Sequence, residues 1–122
     1  MCGIVGVLSL NDIPININCT KIMADKIAHR GPDDAGHLYF QTGSRKKKNV
    51  FNFTNLTEEK FKSLGSKLPL IESNFIQREL HQNNYDLYMG HRRLSIIDTT
   101  KLGHQPMSDI SKNIWISYNG EI

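Results

Sequence analysis

At 122 residues, 39% apolar and 22% charged, the chain has the makings of one folded unit with a modest core. A net charge of +3 is too mild to imply a nucleic-acid partner, which needs basic residues gathered on one face. Two cysteines, Cys2 and Cys19, with no C-x-x-C pair argue against a disulfide scaffold, and no apolar run approaches the roughly 18 residues of a membrane span. The N-terminus lacks a charged segment followed by an apolar stretch, so the expectation is a cytoplasmic protein with no membrane partner.

In chain order, residues 3–10 read as a buried strand, since Ile4, Val5, Val7 and Leu8 are apolar and partly β-branched. Asn11-Asp12 signals a turn. From 20 to 29, Ile22, Met23 and Ile27 recur at near-helical spacing, and Arg30-Gly31-Pro32 ends that helix because proline and the residue before it leave the α region. Residues 36–40 form a short strand. The polar, Asn- and Lys-rich stretch 41–89 reads as an insertion and a surface excursion between two strands. It holds a solvated turn at 45–48, a strand at 50–54, and helices at 55–62 and 70–82, the latter carrying Ile71, Phe75, Ile76 and Leu80. Residues 88–91 and 94–98 read as strand or near-strand pieces, 103–107 as a turn, and the alternation across 113–118 as a strand.

A lone cysteine is more often an inert core residue than a nucleophile, but Cys2 stands directly after Met1. A small second residue lets the initiator methionine be removed, which would leave a thiol and a free amine on one residue. A free thiol has a pKa of about 8.5 and an α-amine about 7.7–8.0, so the amine is substantially neutral near neutral pH and can take the thiol proton. This is the N-terminal form of the nucleophile-plus-base pairing.

Met1-Cys2-Gly3-Ile4-Val5-Gly6 resembles the opening of class II glutamine amidotransferases, which are N-terminal-nucleophile hydrolases. Four further segments match in order: Arg30-Gly31-Pro32-Asp33, the run from Gly90 to Asp98 (GHRRLSIID), Gln105-Pro106, and Tyr118-Asn119-Gly120-Glu121-Ile122. Five ordered matches make chance a poor explanation. Their wording is similar to asparagine synthetases rather than to the amidotransferases that make glucosamine phosphate or phosphoribosylamine. The matches cover about 1–40 and 90–122.

The resemblance implies an α+β fold, the four-layer αββα sandwich, present only in part as residues 1–122. It implies that Cys2 attacks the carboxamide of glutamine, and that Asn119 and Gly120 supply oxyanion donors, although Asn-Gly standing alone would read as a hairpin turn. Arg93 would grip the α-carboxylate of glutamine, with main-chain atoms near Ile97 and the region of Glu121, beside Asn119 and Gly120, lining the same pocket. Arg30 and Asp33 would hold the loop around the nucleophile. His91 and Arg92 would be structural and Cys19 a spectator. The histidines form no short-spaced pair, so no metal is expected. No cofactor is expected in this chain; ATP and magnesium would belong to an absent synthetase domain. Glutamine is the expected partner, together with the remainder of the domain or a separate synthetase polypeptide. Three readings stay open: a shortened asparagine-synthetase-like glutaminase, one part of a split amidotransferase, and an inactive binding or regulatory remnant.

Overall fold

A computed structural model describes residues 1–11, 13–42, 50–54 (backbone only) and 73–120. Strands β1 (Gly3–Leu8), β2 (Asp34–Phe40), β3 (Val50–Thr54) and β4 (Leu87–Arg93) form one sheet in the order β1-β4-β2-β3, with every neighbouring pair antiparallel. Helices α1 (Ile17–Lys26) and α2 (Asn74–Gln82) pack on one face. Strands β5 (Met107–Ser108) and β6 (Trp115–Ile116) form a second, two-stranded sheet. This is an α+β arrangement.

Residues directly opposite in a sheet share a face. The register therefore places Val5, Val7, Tyr88 and Tyr39 together on the helical side. There they join Ile15, Ile76, Leu80 and Tyr85 in the core. The Tyr39 ring lies 4.8 Å from that of Tyr88 and 5.4 Å from that of Tyr85. Its hydroxyl meets Thr20 of α1 at 2.6 Å. Burial pushes the Tyr39 phenol up to about 12, so it stays protonated among apolar neighbours.

The opposite face carries Ile4, His91 and Gly36 in one cross-strand row. The segment after β4 folds over part of it. Phe40 meets Trp115 edge-on, with ring centroids 6.1 Å apart, and the Gln105 carbonyl lies so close to Gly36 that a Cβ there would stand 1.9 Å from it. Only glycine allows that approach.

Several expectations need correction. The 3–10 strand is not buried throughout: it ends at Leu8, and Ile4 and Leu8 are 45% and 56% exposed. β1 is an edge strand, and among the described residues the small sheet does not reach that side. The first helix starts at Ile17, three residues earlier than expected, because Asn16 caps it by accepting from the Cys19 N–H at 3.1 Å. Asn16→Ala is expected to cost about 1 kcal/mol, read as a lower denaturation midpoint at unchanged slope.

Ser73 caps α2 in the same way, and Ile76 and Leu80, four apart, are its buried stripe. Phe75, expected on that stripe, sits about 100° round the helix and is 59% exposed. The expected turn at 45–48, the helix at 55–62 and Ile71 lie outside the described residues. Far from being a surface excursion alone, 41–89 includes β3, α2 and part of β4, and it contributes Ile76, Leu80, Tyr85 and Tyr88 to the core.

Residues 94–98 are not a strand, since the chain there curls around the Arg93 guanidinium. The 113–118 strand shrinks to Trp115–Ile116 because side chains, not a ladder, take the backbone groups of Tyr118.

Candidate active site

β1 runs antiparallel to β4 with Gly3 opposite Arg92, so the residue before β1 meets the residues leaving β4. Cys2 thereby reaches Leu94, 92 positions away in sequence, and its Sγ accepts from the Leu94 N–H at 3.4 Å. The Cys2 carbonyl accepts from Arg30 Nε at 3.2 Å. Asp33, in the same Arg-Gly-Pro-Asp turn, donates its N–H to the Arg93 carbonyl at 3.0 Å, and its carboxylate accepts from the Ser95 N–H at 2.7 Å. Arg30 and Asp33 thus hold the Cys2 backbone and the exit of β4 in one frame. Gly31 makes this possible, since a Cβ there would stand 2.3 Å from the Arg92 carbonyl carbon.

A cleft of about 540 Å³ opens at this junction, within the usual range for small-ligand sites. It brings together Cys2, Arg93, Ile97, Asn119 and Gly120, five of the six expected site residues. Glu121 lies outside the described residues. Met1 also lines the cleft and is 76% exposed, open to an aminopeptidase. Ile97 is 80% exposed.

Arg93 is buried, 7% exposed. Its Nη1 donates to the Thr100 carbonyl at 2.8 Å and its Nη2 to the Asp98 carbonyl, and the Asp98 carboxylate stands 3.7 Å away. Hydrogen bonds from Thr100 hold the exposed Asp98 carboxyl below the usual carboxylate range. A Cβ on Gly103 would meet the Arg93 guanidinium at 1.9 Å. The guanidinium has five N–H donors, and these bonds leave others for a ligand carboxylate.

Arg92 points to the helical face and pairs with Asp25 at 2.5 Å and the Ala24 carbonyl at 3.0 Å, a structural role as expected. Cys19 is exposed on α1.

His91 is 2% exposed and its Nε2 donates to the Tyr118 carbonyl at 3.2 Å. A carbonyl can only accept, so the neutral ring carries its proton on Nε2. Burial pushes the His91 pKa below its ordinary value, opposed by the Tyr118 carbonyl and Asp34 and assisted by His104 and Arg93. With the folded pKa depressed, the unfolded chain takes up the proton first as pH falls through about 6.5. Stability from this residue is therefore full above that pH and lost below it. His91→Gln is expected to flatten the fall in denaturation midpoint between about pH 7 and 5 relative to the parent chain.

Leu94, Ser95, Gly103, Gln105 and Tyr118 also line the cleft and were given no role from sequence. Leu94, Ser95, Gln105 and Tyr118 stand inside matched segments; Gly103 stands outside them.

The sequence profile of the glutamine amidotransferase domain matches residues 76–122. Those residues are similar to that domain. Of the cleft residues, the amidotransferase match includes Arg93, Ile97, Asn119 and Gly120, while Cys2 lies ahead of it. A Methanocaldococcus jannaschii protein assigned as asparagine synthetase (glutamine-hydrolyzing) 2 is 29% identical over 136 aligned positions. That alignment takes in all of this chain and 18% of the relative, so the chain spans under a fifth of the relative's length. No solved structure matches the chain. Among the described residues no helix is long and apolar enough to cross a membrane, and no cluster of His, Cys, Asp and Glu could hold a metal.

Proposed function

We propose that this chain hydrolyses glutamine to glutamate and ammonia through a thioester on Cys2, as the glutaminase part of an asparagine-synthetase-like amidotransferase. The observation that carries the proposal is the convergence of Cys2, Arg93 and Asn119-Gly120 on one cleft from three separate stretches of chain.

In this reading Arg93 binds the α-carboxylate of glutamine and so directs its carboxamide toward Cys2. Removal of Met1 frees the Cys2 amine, which accepts the thiol proton as Sγ bonds to the carboxamide carbon. The resulting oxyanion receives hydrogen bonds from the Asn119 side-chain amide and the Gly120 N–H, a contribution of about 2.7–4 kcal/mol per donor in other enzymes. The proton passes to the leaving nitrogen, the C–N bond breaks, and ammonia departs. Water then attacks the thioester, returning the thiol and releasing glutamate. No cofactor enters these steps. ATP, magnesium and an acceptor such as aspartate would act in a synthetase part outside these residues. The helix layer and two sheets fit three of the four layers of the αββα sandwich, which we propose as the complete fold.

The test is the intact mass of the purified chain with and without a diazoketone analogue of glutamine. Loss of Met1 and a single adduct on Cys2, suppressed by excess glutamine, is the expected result. No adduct, or one that glutamine does not suppress, would overturn the proposal in favour of an inactive remnant or of a site needing a partner polypeptide.

A further inference from the structure

We infer that His91 and Gln105 together form a clamp on the Tyr118 backbone that sets the position of the Asn119-Gly120 donors. The inference rests on the oxyanion role proposed above and concerns what holds those donors in place.

Tyr118 immediately precedes Asn119, so the orientation of its carbonyl fixes the plane of the Tyr118–Asn119 peptide. Its N–H donates to Gln105 Oε1 at 2.5 Å, and its carbonyl accepts from His91 Nε2 at 3.2 Å. The backbone is thus gripped from both sides by side chains rather than by a strand ladder, which ends at Ile116.

Both gripping residues are themselves anchored on the main sheet. His91 lies in β4, and its cross-strand partner in β2 is Gly36. The Gln105 backbone rests on that same glycine, at an approach that any Cβ would block. One cross-strand row of the sheet therefore carries both halves of the clamp.

The ring's chemistry agrees with a fixed donor. His91 Nδ1 is buried with no hydrogen-bond partner among the described residues, as suits the unprotonated nitrogen of a neutral imidazole. A base in glutamine chemistry would need access to the substrate. His91 instead faces a main-chain carbonyl and is 2% exposed. It is a positioning residue, acting through the Tyr118 peptide on the groups beyond it.

The experiment compares four single variants of the full chain: H91L and Q105L, which remove the donor and the acceptor, and H91Q and Q105E, which keep them. Two quantities are read: the exchange rate of the Tyr118 amide by NMR, and the maximal rate and half-saturation for capture of the diazoketone analogue. Q105L is expected to speed Tyr118 amide exchange by at least about tenfold, and H91L to speed it less. Both leucine variants should lower the maximal capture rate by about 10- to 100-fold, with half-saturation within about threefold of the parent. H91Q and Q105E should return both quantities to within about threefold. Unchanged exchange in Q105L, or loss of rate and half-saturation together without recovery in H91Q and Q105E, would overturn the clamp. If the parent chain captures no analogue, the proposed function falls, and the exchange rates alone decide the clamp.

Discussion

Cys2→Ala is expected to abolish analogue capture and to reduce glutamine hydrolysis by at least about ten-thousandfold, with the fold intact. The covalent route requires a nucleophile, and Cys2 is the thiol that lines the cleft. Removing a covalent nucleophile from other hydrolases costs that much or more because the rest of the site then has no bond to form. Stability should hardly change: Cys2 lies ahead of β1 and outside the core, and its Sγ makes long contacts with the Leu94 N–H and carbonyl. Alanine is also small enough for Met1 to be removed, so the variant separates loss of the thiol from failure of processing. Cys2→Ser should show a trace of activity, since a hydroxyl is the poorer nucleophile. Hydrolysis measured as glutamine-dependent ammonia release, together with intact mass, reads all three outcomes. A Cys2→Ala chain that still releases ammonia at the parent rate would place the chemistry elsewhere.

Arg93→Ala carries the second large effect, through two routes at once. In the proposed reading the guanidinium binds the glutamine carboxylate, and its loss is expected to raise half-saturation by about 100-fold or more. It also supports the loop that forms one wall of the cleft, through the carbonyls of Asp98 and Thr100. Those carbonyls belong to an exposed stretch and can turn to water, so the stability cost should stay near 1–3 kcal/mol. Arg93→Lys should not restore binding. A lysine ammonium is a point charge with three donors and cannot serve two carbonyls and a carboxylate in one plane. Titration of glutamine protection against the analogue measures the first effect, and denaturation midpoints the second. Near-parent half-saturation in Arg93→Ala would assign the residue to the loop alone.

The open face of β1 has a bearing on handling the protein. Among the described residues, Ile4 and Leu8 lie beside an unpaired strand edge, a template for pairing with another chain. The exposed Ile114 and Ile116 around β6 add to the apolar surface.

Legibility in the sequence followed from how local each determinant is. The strands at 3–8, 36–40 and 50–54 could be read because β-branched and alternating residues report their own backbone preference. α1 and α2 were visible from their apolar spacing, with boundaries misplaced where a cap or an undescribed stretch set the end. Cys2, Arg93 and Asn119-Gly120 were legible as residue types suited to one chemistry, in an order matching a known family.

What sequence could not reveal is which groups are neighbours. The register of β1 on β4 decides that Cys2 sits at Leu94 and not some residues along, and a shift of one residue would turn its side chain to the other face. The stretch 94–98 was misread as strand or near-strand because its cause is a buried cation taking carbonyls five and seven positions away, a demand no local propensity expresses. His91 was read as structural, yet its partner, 27 residues on, depends on the segment around Tyr118 folding back over the sheet. The sequence by itself thus determined the chemical inventory and most of the elements, because these depend on local preference and residue type. Only the tertiary structure decided the cleft and the clamp, because both arise where strand register and close glycine contacts bring distant backbone together.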